Sequence, residues 1–125
     1  MAAPQATRIL VADDDPDILS MLGRFLKGKG FEVSYALDGH QALAAAGEKR
    51  PDIVFLDVSM PGLSGLDVLD AIKKLDAGID VIMVTADVDD ETAKRALGAG
   101  AFDYIVKPFT LEYLEKVLWW KLKMR

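Results

Sequence analysis

The 125-residue sequence predicts an α/β domain built on one five-stranded parallel sheet, and three observations carry that reading. Five short apolar runs alternate with five longer amphipathic ones, as strands and helices do when they take turns along a chain. Three of the short runs are nearly all apolar, which suits strands covered by helices on both faces of the sheet. Glycines and a proline stand at the joins between runs.

Taken in order, RILVA at 8–12 reads as the first strand and PDILSMLGRFLKG at 16–28 as the first helix. Pro16 suits a first helical turn, where no internal hydrogen bond is lost. FEVSYA (31–36) and GHQALAAAGE (39–48) follow as strand and helix, then DIVFLD (52–57) and GLDVLDAIKKLD (65–76). DVIMVTA (80–86), DETAKRALG (90–98), FDYIV (102–106) and the segment 110–124 complete the alternation. Gly28, Gly30, Gly78 and Gly100 fall where helices should stop. Residues 1–7 read as an N-terminal extension and 8–125 as a single domain, with no repeat or linker. Right-handed crossovers leave few arrangements, of which strand order 2-1-3-4-5 is the commonest.

Composition narrows the chemistry. With 51% hydrophobic and 28% charged residues, the chain can bury a core of its own, and it has no room for a second domain of similar size. It has no cysteine, which excludes disulfides, thiolate metal sites and thiol nucleophiles. No apolar run reaches the ~20 residues that span a bilayer, and the N-terminus lacks the layout of a signal peptide, so a cytoplasmic location is expected. A net charge of -5 should repel nucleic-acid phosphates and anionic membranes, leaving proteins and cations as the expected partners.

In order 2-1-3-4-5 the winding reverses between strands 1 and 3, and ligands bind in the crevice at the carboxyl ends of those strands. Asp13 and Asp14 end one of them and Asp57 the other. Three acids meeting at one point repel unless a cation joins them, and an oxygen-only set suits a hard ion such as Mg2+. Asp15 and Asp17 read instead as the turn and cap of the first helix. Strand 4 ends on Thr85 and strand 5 on Lys107-Pro108. A carboxylate nucleophile that can form an aspartyl phosphate, with an ammonium and a hydroxyl to take up charge on the transferring oxygens, amounts to a set of parts for phosphoryl transfer.

The segments LVADDDPDI, IVFLDVSMPGLSGLDVL, VIMVTA and GAFDYIVKPF, in this order and spacing, resemble the response-regulator receiver domain. That is the CheY-like, flavodoxin-like doubly wound fold of two-component signalling, and the resemblance runs from about Arg8 to the last helix. It implies that Asp57 is the phosphoacceptor, served by a sensor histidine kinase or a phosphotransfer protein. Asp13, Asp14 and Asp57, with the backbone carbonyl of Ser59, are implied to hold Mg2+ or Mn2+. Thr85 matches the switch hydroxyl, Tyr104 the aromatic switch position and Lys107 the family's lysine, with a cis peptide at Lys107-Pro108. Ser59 and Asp87 take the positions that tune reaction rates. The domain so described is no enzyme toward a separate substrate. It assists its own phosphorylation and dephosphorylation and repacks the face of helix 4, strand 5 and helix 5 for an output domain or target protein.

Two other classes fit less well. A flavodoxin-like redox protein needs a phosphate-cradling loop where this chain has DDDP, which repels phosphate. A small metal-dependent phosphohydrolase needs more chain to enclose its substrate. His40 reads as a solvated or capping residue, and Met60 and Met83 as packing. The basic ending KLKMR reads as a complement to the helix dipole. In the last helix, Leu111, Leu114, Leu118 and Leu122 form one apolar stripe facing the sheet. Tyr113, Val117, Trp120 and Met124 form a second, expected to be exposed and to serve self-association, as in a homodimer, or partner docking.

Overall fold

The computed structural model describes residues 7–86 and 89–123. Its strands are β1 (Arg8–Ala12), β2 (Glu32–Ala36), β3 (Ile53–Leu56), β4 (Asp80–Thr85) and β5 (Asp103–Val106). Its helices are α1 (Pro16–Gly28), α2 (Gly39–Lys49), α3 (Gly65–Leu75), α4 (Asp90–Gly98) and α5 (Leu111–Lys123). All four strand pairings are parallel, in the expected order β2-β1-β3-β4-β5, so β2 and β5 form the edges. No element end differs from its expected bound by more than one residue, as fraying allows.

Alternation along the central strands divides the core into two layers. Ile9, Val11, Ile53, Phe55, Ile82, Val84 and Ile105 face α1 and α5 and pack with Leu22, Leu26, Leu114 and Leu118. Leu10, Val54, Leu56, Val81 and Met83 face the other way, onto Ala42, Ala46, Val68, Leu69, Ile72 and Ala96 of α2, α3 and α4. Met60 and Met83 are buried packing residues, as expected. The caps follow sequence chemistry: Asp15, Asp38, Ser64 and Asp89 each accept a backbone N–H from the first turn of the helix they precede. Gly30 and Gly100 carry the left-handed backbone just beyond α1 and α4 (φ 94° and 105°).

The last helix corrects one expectation. Val117 is not on an exposed stripe: it is buried beside Leu114 and Leu118 in the α1/α5 layer. Its position three residues after Leu114 places it one turn along the same face, so the buried arc is broader than a single leucine row. Tyr113 and Trp120 are exposed, as expected, and so is Trp119, which belonged to neither stripe. Met124 lies outside the described residues. The two indoles stand 6.3 Å apart in a tilted pair.

Lys121, in the basic ending read as a complement to the helix dipole, also makes specific contacts that this reading did not include. Its ammonium lies 2.9 Å from Asp80 Oδ1 and 4.3 Å above the Phe102 ring, which fastens the end of α5 to the start of β4 and β5.

Candidate functional site

The topology brings the expected acids together. Asp13 follows β1 and donates its backbone N–H to the Ala36 carbonyl at 3.0 Å, while Asp57 follows β3 and donates to the Ala12 carbonyl at 3.0 Å. Both are therefore tied to the ends of neighbouring strands, and both side chains are buried. Asp14 joins them from the exposed side, and carboxylate oxygens of Asp13, Asp14 and Asp57 lie within 4.8 Å of one another.

Each buried carboxylate is held by a short turn of its own. Asp13 Oδ1 accepts the Asp15 N–H at 2.9 Å, and Asp57 Oδ1 accepts the Ser59 N–H at 3.0 Å. These are the two-residue turns that aspartate side chains make with the backbone ahead of them. Reading Asp15 only as a helix cap missed this second duty of its backbone; the signal lay in an Asp with a residue two positions on at a strand-to-helix turn. As a cap it behaves as expected, accepting the Asp17 N–H at 2.9 Å.

Lys107 spans the two buried acids. Its Nζ lies 2.5 Å from Asp13 Oδ2 and 3.1 Å from Asp57 Oδ2, and its side chain is 18% exposed. Its backbone N–H donates to the Thr85 carbonyl at 2.8 Å, which fastens the end of β5 to the end of β4. Thr85 is fully buried at that same edge of the sheet, paired in register with Val106. The Lys107-Pro108 peptide is cis, as the resemblance implied. Tyr104 is half-buried and packs against the α2–α4 layer. Ser59 is exposed, and Asp87 lies outside the described residues. His40 is exposed on the first turn of α2, with its ring against Gly62.

Charge at this point is unequal: three carboxylates face one ammonium. Burial pushes the Asp13 carboxyl above its ordinary range; Lys107 and the Asp15 amide pull it back, the Asp57 carboxylate adds to the rise, and the rise prevails. Burial also draws the Lys107 ammonium down, but its hydrogen bonds to Asp13 and Asp57 outweigh that and hold it above the usual lysine range. One lysine is thus over-supplied with acids while an acid is under-supplied with cations. An oxygen-only set with surplus negative charge at a strand-end crevice fits a hard divalent ion.

A doubly wound sheet with buried acids at its switch point, bridged by a lysine and flanked by a buried threonine, defines a phosphoacceptor signalling domain of the CheY-like kind. The comparisons give the family: the chain belongs to the response regulator receiver domains, whose family model matches residues 9–118. It is 45% identical over 102 residues to the DNA-binding response regulator MtrA of Mycolicibacterium smegmatis, covering 82% of this chain and 44% of that protein. It is 48% identical over 109 residues to the transcriptional regulatory protein PrrA of Mycobacterium tuberculosis, covering 86% and 46%. The chain thus spans less than half the length of these relatives. Among solved structures, a CheY-like receiver domain protein from Methanospirillum hungatei superposes with a TM-score of 0.93 at 32% identity, covering 96% of both chains. The flavodoxin-like redox and phosphohydrolase readings find no support in these relatives. Among the described residues no helix is long and apolar enough to cross a membrane.

Proposed function

We propose that Asp57 accepts a phosphoryl group from a phosphohistidine on a sensor kinase or phosphotransfer protein. The observation that carries this reading is the meeting of Asp13, Asp14 and Asp57 at one crevice with Lys107 laid across the two buried acids. A carboxylate oxygen of Asp57 attacks phosphorus, and the bond from phosphorus to the histidine nitrogen breaks. The electron pair stays on that nitrogen, which takes up a proton, and Asp57 becomes an acyl phosphate. Lys107, already within 3.1 Å of Asp57, is placed to neutralise the phosphoryl oxygens as they arrive. Asp13, Asp14 and Asp57, with the Ser59 carbonyl, are the residues to hold Mg2+ or Mn2+, which when bound supplies the positive charge that the acids lack.

Thr85 and Tyr104 then form the switch. The Thr85 hydroxyl moves toward the new phosphoryl group, Tyr104 turns into the space it leaves, and the face of α4, β5 and α5 repacks. Ser59 and Asp87 tune the rates of gain and loss. Exposed Tyr113 and Trp120 lie on the helix that borders this face and serve its docking to an output domain, a target protein or a second copy. The relatives carry names for DNA binding and transcriptional regulation; this domain, whose net charge of -5 opposes DNA, makes no direct contact with nucleic acid in our reading.

Incubation with acetyl phosphate and Mg2+ tests the reading. The intact mass should rise by one phosphoryl group, and Asp57→Asn should take up none. Undiminished labelling of Asp57→Asn would place the acceptor elsewhere.

A further inference from the structure

At three glycines in this molecule an added Cβ would lie under 3.0 Å from other atoms, and two of them meet the loop between β3 and α3. A Cβ built on Gly65 lies 2.3 Å from the Asp57 carbonyl oxygen, 2.5 Å from Val58 Cα and 2.9 Å from the Asp57 carbonyl carbon. The first residue of α3 therefore rests directly on the backbone of the acceptor, and its N–H donates to the Val58 carbonyl at 2.9 Å. At the far end of the loop, a Cβ on Gly39, the first residue of α2, lies 2.7 Å from Leu63 Cβ and 2.8 Å from its carbonyl oxygen.

We propose that Gly65, seconded by Gly39, is a positioning residue for the acceptor site: backbone contact without a side chain holds the Asp57–Ser59 segment where its carboxylate and the Ser59 carbonyl face Asp13 and Asp14. At Gly65 the obstacles are all backbone atoms, which cannot rotate out of the way as a side-chain tip can; at Gly39 they are the Leu63 carbonyl oxygen, the Leu63 Cβ fixed to its backbone and a methyl of Val68. Ordinary van der Waals contact begins near 3.4 Å, so an added methyl at position 65 displaces something. The sheet side of that contact is fixed, because the Asp57 N–H is bonded to Ala12 and the interior is close-packed. The displacement falls on the loop. A misplacement of about 1 Å at reacting groups can lower a rate on the order of a hundredfold. Helix propensity argues the other way, since alanine is a better helix former than glycine. A loss of site function in Gly65→Ala thus cannot come from a weakened helix.

Gly23 supplies the control. Its built Cβ comes still closer, 2.1 Å from the Tyr35 hydroxyl and 2.7 Å from the ring edge. Those atoms belong to a side chain that is 41% exposed and free to swing outward, on the other layer of the sheet and away from the acids.

The inference rests on the proposed acceptor function and is tested by measuring Mg2+ affinity by calorimetry, and labelling by acetyl phosphate, in wild type, Gly65→Ala, Gly39→Ala and Gly23→Ala. Circular dichroism reports whether each is folded at the working temperature. Folded Gly65→Ala should bind Mg2+ at least about tenfold more weakly and label more slowly, with Gly39→Ala in between and Gly23→Ala within about twofold of wild type. Wild-type affinity in folded Gly65→Ala overturns the inference, as does an equal loss in Gly23→Ala. If Gly65→Ala does not fold, Gly39→Ala decides by the same measure; if neither folds, the two glycines serve stability and the inference fails. A wild type that neither binds Mg2+ nor labels would instead overturn the proposed function itself.

Discussion

Two half-buried lysines face carboxylates at opposite ends of the same sheet, and they are there for different reasons. Lys121, at the amino ends of the strands, meets Asp80 and the face of Phe102, so among the described residues its ammonium faces a single carboxylate and an aromatic ring. Lys107, at the carboxyl ends, is shared by Asp13 and Asp57, with Asp14 close by. Similar geometry thus yields a clasp at one end and a deficit of positive charge at the other. The difference lies in the count of acids about each ammonium: Lys121 meets one among the described residues, whereas the three acids around Lys107 leave a surplus of negative charge that a cation or a reaction can relieve.

The largest effect on this contrast is expected from removing each lysine's charge. Lys107→Met should lower metal-free stability by about 2 kcal/mol, because it leaves buried acids without their cation. Part of that loss should return at saturating Mg2+. Lys121→Met should cost about 1 kcal/mol, with no return beyond the gain that Mg2+ gives the wild type. Urea titrations with and without Mg2+ measure both, and equal Mg2+ dependence in the two variants would break the comparison.

Removing an acid should act in the opposite sense. Asp13→Asn is expected to raise metal-free stability at neutral pH by about 1 kcal/mol while weakening Mg2+ binding, a trade of stability for function. The sign follows from linkage: the Asp13 pKa is raised in the folded state, so folding favours its protonated form. The cost of its charge is present in full above the folded pKa and disappears as pH falls through that value toward the unfolded one. Stability curves of wild type and Asp13→Asn should accordingly converge on acidification. A gap that widens as pH falls would contradict the assignment.

The smallest effect at the site is expected at Asp15. Its backbone N–H supports Asp13, but its carboxylate caps α1, so Asp15→Ala should keep Mg2+ affinity within about twofold and lose about 1 kcal/mol of stability. Asp14→Ala should weaken binding at least about tenfold. Calorimetry on the pair separates them, and equal losses would mean that the capping role is misassigned.

The two lysines also differ in how readable they were. Lys107 could be placed from sequence because it follows an apolar run, and strand ends in a parallel sheet converge on one edge whatever the details of packing. Asp13, Asp14 and Asp57 were readable for the same reason. Lys121 was not, since its partners Asp80 and Phe102 become neighbours only once α5 has docked at a particular rotation. Val117 failed on the same point: periodicity gives the spacing of an apolar face, but its width depends on how deeply the helix settles between β5 and α1. The support of Asp13 by the Asp15 amide was harder to read, because the donor is backbone and only the acceptor, an Asp at a strand-to-helix turn, shows in the sequence.

Strand order has a consequence for motion. Asp13 and Asp57 are rooted in β1 and β3, each hydrogen-bonded to strands on both sides, so amide exchange there requires dismantling the middle of the sheet. Thr85 and Lys107 end β4 and the four-residue edge strand β5, which has a neighbour on one side only. Fluctuations that free β5 from β4 can therefore run at a fraction of the global unfolding energy without disturbing the acids. The molecule has a still half and a loose half, and the Lys107 ammonium reaches from the loose half to the carboxylates of the still one.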